Sequence, residues 1–233
     1  MSPYNKAQII LATKHGKEAV IRQPFLHHFN ASIFVPPDFD TDQFGTFTGE
    51  IARVKTAFET VIEKAKVAAT NYGFDYAMAS EGSFGPHPAV FFAPGNVELM
   101  SFIDLKNDIT VVESILSNDT NYAYIDITPN QNYNDFLKNA KFPSHAIIVK
   151  SQNDNAIIQK GIQTIDALNK ALIIGFTKYP RLRLETDMRA MMNPMRLSVI
   201  EKLAVIVVNR LKNSCRKCQA PGFGKISFSG NLE

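Results

Sequence analysis

The sequence predicts an α/β fold: a mixed, mostly central β-sheet flanked by helices, with a long C-terminal helix and a Cys-x-x-Cys tail. Three observations predict it. Apolar runs of strand length alternate with stretches of helical periodicity. The longest helical pattern covers residues 194–213, near the end. Cys215 and Cys218 follow it, three positions apart, with a glycine turn after them. Residues 1–213 read as a single α/β domain and 214–233 as a truncated zinc-ribbon-like tail.

The first strand is expected over residues 8–13, Gln-Ile-Ile-Leu-Ala-Thr. Its apolar run suits a strand buried on both faces. It leads into Lys14-His15-Gly16-Lys17 and a helix over 18–28, interrupted or kinked at Pro24. Strand, basic glycine-containing turn and helix start together make a plausible anion cradle, with Thr13, Lys14, His15 and Lys17 as candidate phosphate-binding residues. The glycine spacing of a Walker loop is absent. A solvated turn with surface lysines accounts for the same residues.

A short strand over 32–35 ends at Pro36-Pro37. Residues 38–53 form a long polar loop carrying Asp38, Asp40, Asp42, Glu50 and Arg53 between Phe39, Phe44 and Phe47. The rings need something to pack on, which argues against disorder. The aspartates do not keep calcium-loop spacing. Glu50 and Arg53 are the candidate site members, or else a helix-start acid and a solvated cation.

Residues 56–71 form an amphipathic helix with Phe58, Val61, Ile62, Ala65, Ala68 and Ala69 on one face, ended by Gly73. A buried strand then delivers Glu81 into Ser80-Glu81-Gly82-Ser83-Phe84-Gly85-Pro86-His87-Pro88. Gly82 and Gly85 are expected to turn the backbone with positive φ. An acid in a glycine-bounded loop after a strand is how open α/β sheets present a functional group; a strand end with a surface Glu is the alternative. His87, between two prolines, is a candidate for proton transfer or phosphate contact.

Residues 89–93 and 97–105 read as a hairpin around Pro94-Gly95-Asn96, and Asn107 or Asp108 as the cap of a short helix through 116. Further strands are expected over 122–127, 146–150 and 157–160, with helices over 134–140 and 164–174. Residues 181–196 mix acids with arginines, of which Arg189 and Arg196 have the geometry to grip phosphate in bidentate fashion or to pair with Glu185 and Asp187. Asn193 and Pro194 suit the start of the last helix.

The composition is globular, 45% hydrophobic and 20% charged, and a net charge of +3 is too small to demand a nucleic-acid partner. No apolar run reaches bilayer length, so no membrane partner is expected. The first residues lack a signal-peptide apolar region, and a cytoplasmic location is expected. In that setting two cysteines suggest half a zinc site rather than a disulfide framework. Zn²⁺ would need two further ligands, and residues 219–233 contain neither Cys nor His.

Four motifs together resemble an uncharacterised bacterial family carrying a domain of unknown function: Ala12-Thr13-Lys14-His15-Gly16-Lys17-Glu18; Pro36-Pro37-Asp38-Phe39-Asp40-Thr41-Asp42-x-Phe44-Gly45-Thr46-Phe47-Thr48-Gly49-Glu50; Ala79-Ser80-Glu81-Gly82-Ser83-Phe84-Gly85-Pro86-His87-Pro88; and Glu185-Thr186-Asp187-Met188-Arg189-Ala190-x-Met192-Asn193-Pro194. That resemblance implies a second Cys-x-x-Cys beyond residue 233. More distantly, the order of parts is similar to the inosine/xanthosine triphosphate pyrophosphatases. Ala12-Thr13-Lys14-His15-Gly16-Lys17 stands where they grip triphosphate, and Thr46, Glu50, Lys64 and Ala65 resemble their acidic helix. Ser80-Glu81-Gly82 stands where they place acids, with one acid instead of two, and Thr186-Asp187-Met188-Arg189 where they read the base.

This likeness implies a Mg²⁺-dependent nucleotide-phosphate hydrolase, or a protein that binds a phosphate ligand. Glu81, Glu50 and His87 would be its catalytic residues, with Mg²⁺ on Glu50 and Glu81. Thr13, Lys14, His15, Lys17, Arg53 and Arg189 would hold phosphate. The alternative is a non-enzymatic nucleic-acid or protein adaptor with zinc on Cys215 and Cys218 and a basic end of Arg210, Lys212, Arg216 and Lys217. The expected partner is a small anionic ligand, a nucleotide by class; nucleic acid and a second copy of the chain stay open.

Overall fold

The computed structural model describes residues 2–44, 55–87 and 90–224. It holds a mixed sheet flanked by helices, as expected, and a second sheet beside it. The first sheet has the order β2-β1-β3-β4-β5, built from β1 (Gln8–Ala12), β2 (Ser32–Phe34), β3 (Tyr76–His87), β4 (Val90–Asp104) and β5 (Ile109–Ser117). β2, β1 and β3 run parallel, while β3, β4 and β5 are antiparallel.

Side-chain alternation in β1 explains the layers. Ile9 and Leu11 enter one core with Met78, Met100 and Phe102, under α1 (Glu18–Phe29) and α5 (Pro194–Lys212). Ile10 and Ala12 enter the opposite core with Ala77, Ala79 and Ile103, under α2 (Ala57–Tyr72). The alanines Ala65, Ala68 and Ala69 let α2 approach closely. Thr56 starts α2 with a capping box, its hydroxyl accepting from Glu59 N at 3.2 Å.

The connections matter for function. From β1 the chain passes through α1 to β2 on one side. It then returns through α2, on the opposite face, to β3 on the other side of β1. That reversal opens a crevice at the carboxyl ends of β1 and β3, where open α/β sheets receive ligands.

The second sheet, order β6-β9-β7-β8, is wholly antiparallel: β6 (Tyr124–Ile127), β9 (Leu182–Thr186), β7 (Ile147–Ser151) and β8 (Ile157–Ile162). With α3 (Asn134–Asn139) and α4 (Ile165–Phe176) it closes a core of its own around Ile147, Val149, Leu168, Leu182 and Leu184. The short turn Ala190–Met192 and the start of α5 fasten it to the first sheet. Asn193 caps α5 by accepting from Arg196 N at 3.0 Å and donates to Asn121 Oδ1 at 2.8 Å. His145 Nε2 accepts from Met195 N at 3.2 Å.

Five expectations are corrected. Pro94-Gly95-Asn96 is no turn: β4 runs through it, with Gly95 opposite Gly85 and Pro94 opposite Pro86. β5 pairs with β4 only from Asn96 on, so Pro94 lies where no second ladder needs its missing N–H. Gly82 and Gly85 lie inside β3, and among the described residues the glycines with positive φ are Gly16, Gly73, Gly161 and Gly222. The helix expected after Asn107 is strand β5. Its Ile109, Val111, Val112 and Ile115 are β-branched, and Asp104 and Asn107 build the turn before it through a 2.9 Å bond to Asn107 N. Phe58 is 52% exposed, while Lys64, midway along α2, is buried. β9, an inner strand of the second sheet, has no counterpart among the expected elements. Its Leu182, Leu184 and Thr186 point inward.

Helix α1 runs through Pro24, whose ring is buried. No helix among the described residues is long and apolar enough to cross a membrane.

Candidate functional site

The crevice is entered through the turn after β1. Gly16 makes that turn with φ 70°, and a Cβ there would lie 3.3 Å from Met191 Cβ, so the turn packs against the 190–192 segment. Lys17 sits at the start of α1 but makes no side-chain cap bond. Its chain turns to β3 instead, where Nζ contacts both Ser80 O and Ser80 Oγ at 2.9 Å. Lys17 is only 5% exposed. Burial, and next the positive charge of Arg196, push its amine down to about 7, outweighing the attraction of Glu81 and Glu98.

Four other charges surround it. Glu81, one residue on, points to the α2 face and is ion-paired with Lys64, both buried. Glu98, opposite Gly82 on β4, points to the α5 face. It takes Arg196 in a fork of 2.7 and 3.3 Å, with both side chains fully buried. Arg196 also donates to Met188 O and lies over the Phe84 ring at 5.2 Å. Gly82 makes room for this fork: a Cβ would meet Glu98 Oε1 at 2.5 Å and Arg196 Nη2 at 2.6 Å. Among these described groups two cations have a carboxylate each, and Lys17 has neutral partners.

The structure brings Thr13, Lys14, His15, Lys17 and Glu81 to one edge. Lys14 is spent on an exposed 3.0 Å pair with Asp40. A cleft of 170 Å³ opens beside them, lined by Thr13, Lys14, Gly16, Glu18, Pro36 and Phe39 among others. It has room for a phosphate group rather than a whole nucleotide.

Other expected members are not brought there. His87 lies six residues beyond Glu81 in an extended strand, ~20 Å away. Arg189 clamps the buried Asp187 through bonds of 2.9, 3.2 and 2.5 Å, beside Gly161 of the second sheet. Glu50 and Arg53 lie outside the described residues.

Cys215 and Cys218 sit past the far end of α5, ~24 Å along the helix from Arg196. They form a knuckle in which Cys215 N donates to Ala220 O at 2.8 Å and Gln219 N to Cys215 O at 2.9 Å. Hydrogen bonds from the Cys218 and Lys217 backbone hold the Cys215 thiol below its ordinary range.

Among the described residues no three or more His, Cys, Asp or Glu come together as a metal site. Glu81 is paired with Lys64, Glu50 as its expected Mg²⁺ co-ligand lies outside the described residues, and the two thiols alone do not complete a zinc site. Glu98 and Ser80 are not among the site residues expected from the sequence. The signal for Glu98 was a lone acid in the apolar run Val97-Glu98-Leu99-Met100.

No curated protein matches the chain. Among solved structures it is similar to the crystal structure of protein VC0702 from Vibrio cholerae, at a TM-score of 0.40 and 10% identity, over 89% of this chain and 96% of that one. A likeness at that level carries no argument about the site. The family model described as Domain of unknown function (DUF6671) matches residues 64–232, which include Lys64, Glu81, Glu98, Arg196 and both cysteines. The chain therefore belongs to that family of unknown function.

Proposed function

We propose that the carboxyl edge of β1 and β3 binds a small anionic ligand of the nucleoside-phosphate class, with Lys17 as its principal cation. The observation that carries this reading is a buried lysine at a topological switch point whose own bonds go to Ser80 rather than to a carboxylate. An anion entering there would supply the missing counter-charge and raise the Lys17 amine toward its ordinary value. The cleft beside Thr13 and Lys14 gives a phosphate room. Turnover with Mg²⁺, as a nucleotide-phosphate hydrolase, is the finer form of this reading. The described residues supply no Mg²⁺ ligand set, so ion and hydrolysis are tested apart from binding.

The test is calorimetric titration with nucleoside mono-, di- and triphosphates, with and without Mg²⁺, alongside assays for released phosphate and pyrophosphate. Saturable binding that is lost in Lys17→Met supports the reading. Absence of heat with every nucleotide removes it. Turnover that survives Glu81→Gln unchanged removes Glu81 from the hydrolase form.

A second reading rests on the Cys215 knuckle, whose backbone N–H groups favour a thiolate. Zinc held there with ligands from elsewhere would make the basic end a nucleic-acid or protein contact. Zinc content of the protein as isolated, and salt-dependent binding to DNA or RNA, test it.

A further inference from the structure

We propose that Ser80 and Lys17 form a nucleophile–base pair, in which Ser80 Oγ attacks a phosphoryl group of the bound ligand and Lys17 Nζ takes the hydroxyl proton. The inference rests on the anion-binding reading for its electrophile, but not for the reactivity of Ser80.

The geometry carries it. Lys17 Nζ lies 2.9 Å from Ser80 Oγ and 2.9 Å from Ser80 O, its two hydrogen-bond contacts among the described residues. A neutral amine satisfies both, accepting from Oγ–H and donating to the carbonyl. Among the described residues no carboxylate is bonded to Nζ to hold it as an ammonium. Four charged groups among the described residues face the amine: Arg196 from α5, Lys64 from α2, Glu81 on β3 and Glu98 on β4. Each of these cations is tied to one of the acids, so the amine is the group left to change its proton. A serine and a base within hydrogen-bond reach are the requirement for an activated hydroxyl, and lysine fills the base role in serine–lysine enzymes.

The step balances. The Oγ–P bond forms as the P–O bond to the leaving phosphate breaks, and the Oγ proton passes to Lys17. Lys17 then gives that proton to the departing oxygen. Water cleaves the serine phosphoester in the second half, with Lys17 again as base. The ammonium formed in the first half appears beside the developing negative charge, which it stabilises. Ser80 is 2% exposed, so the proposal requires an opening beside Ser80 that leaves Lys17 in place. A small probe suits that opening.

The probe is a fluorophosphonate, which forms the same Oγ–P bond with loss of fluoride and needs no nucleotide. Peptide mass spectrometry of the labelled full chain is expected to place one adduct on Ser80, with a rate that climbs as pH rises through about 7. Lys17→Met is expected to slow labelling by about 100-fold or more, and Ser83→Ala to leave it unchanged. Urea midpoints confirm that each variant folds, and Lys17→Arg, which keeps the chain length, repeats the test if Met does not fold. An unlabelled Ser80 in the wild type, or equal rates in wild type and folded Lys17 variants, overturns the pair. Nucleotide binding without Ser80 labelling leaves the anion site standing and removes the pair. Labelling without nucleotide binding does the reverse.

Discussion

On the second sheet, Arg183 meets Asp126 through bonds of 2.6 and 2.8 Å, and Lys150 meets Glu185 at 2.5 Å. These pairs are part exposed, each cation has its acid on a neighbouring strand, and the buried Asp187 beside that sheet is matched by Arg189. At the crevice of the first sheet the charges are inside. Glu98 and Arg196 are fully buried, Lys64 and Glu81 nearly so, and Lys17 is buried among them with neutral partners. Part-exposed pairs with matched charge cost little and do little. A buried, unmatched amine lowers stability unless something offsets it, which is why the first region reads as a site and the second as a scaffold.

The contrast breaks most visibly at Arg196. Arg196→Met leaves Glu98 buried without its partner and is expected to cost about 3–5 kcal/mol in urea denaturation. Gly82→Ala pushes a methyl into the same fork and is expected to cost about 1–3 kcal/mol. A midpoint equal to wild type for either would mean that the fork is not packed as described.

Lys17 sharpens the comparison through pH. Its amine titrates near 7 in the fold and at 10.5 ordinarily. Between those values the unfolded chain holds the extra proton, so stability contributed by this group rises with pH from about 7 to 10.5. Below 7 the full burial cost applies. The slope cannot exceed ~1.4 kcal/mol per pH unit for one proton. Urea midpoints across that range are expected to climb in wild type and to lose this component in Lys17→Met. On the second sheet, Arg183 holds the Asp126 carboxyl below its usual range through hydrogen bonds. That contribution is present above the ordinary Asp value and fades as pH falls through the lowered one. The pair is part exposed, so Asp126→Asn is expected to cost about 1 kcal/mol or less.

Much of the first sheet was legible in the sequence. The doubly buried run of β1, the glycine turn, the alanine face of α2 and the Asn193-Pro194 start of α5 each have one local cause, and each lies close to its expected place. Errors arose where tertiary pairing overrode local signals. Pro94 and Gly95 read as a turn because nothing local shows that Pro86 and Gly85 stand opposite them. Asp104 and Asn107 cap a turn as readily as a helix. For the site, Lys17 and Glu81 were visible as residue types on one edge. Their partners were not, because Lys64, Glu98 and Arg196 come from three other elements. A lysine bonded to a serine 63 positions away leaves no spacing to read.

The most direct measurement is the titration of the Lys17 side chain by NMR, using selectively labelled lysine and Lys17→Met for assignment. A midpoint near 7 in the free protein, moving upward when a nucleoside triphosphate is added, is the result expected of an unmatched amine that receives an anion. A midpoint at the ordinary lysine value, unmoved by every nucleotide tried, would contradict the account.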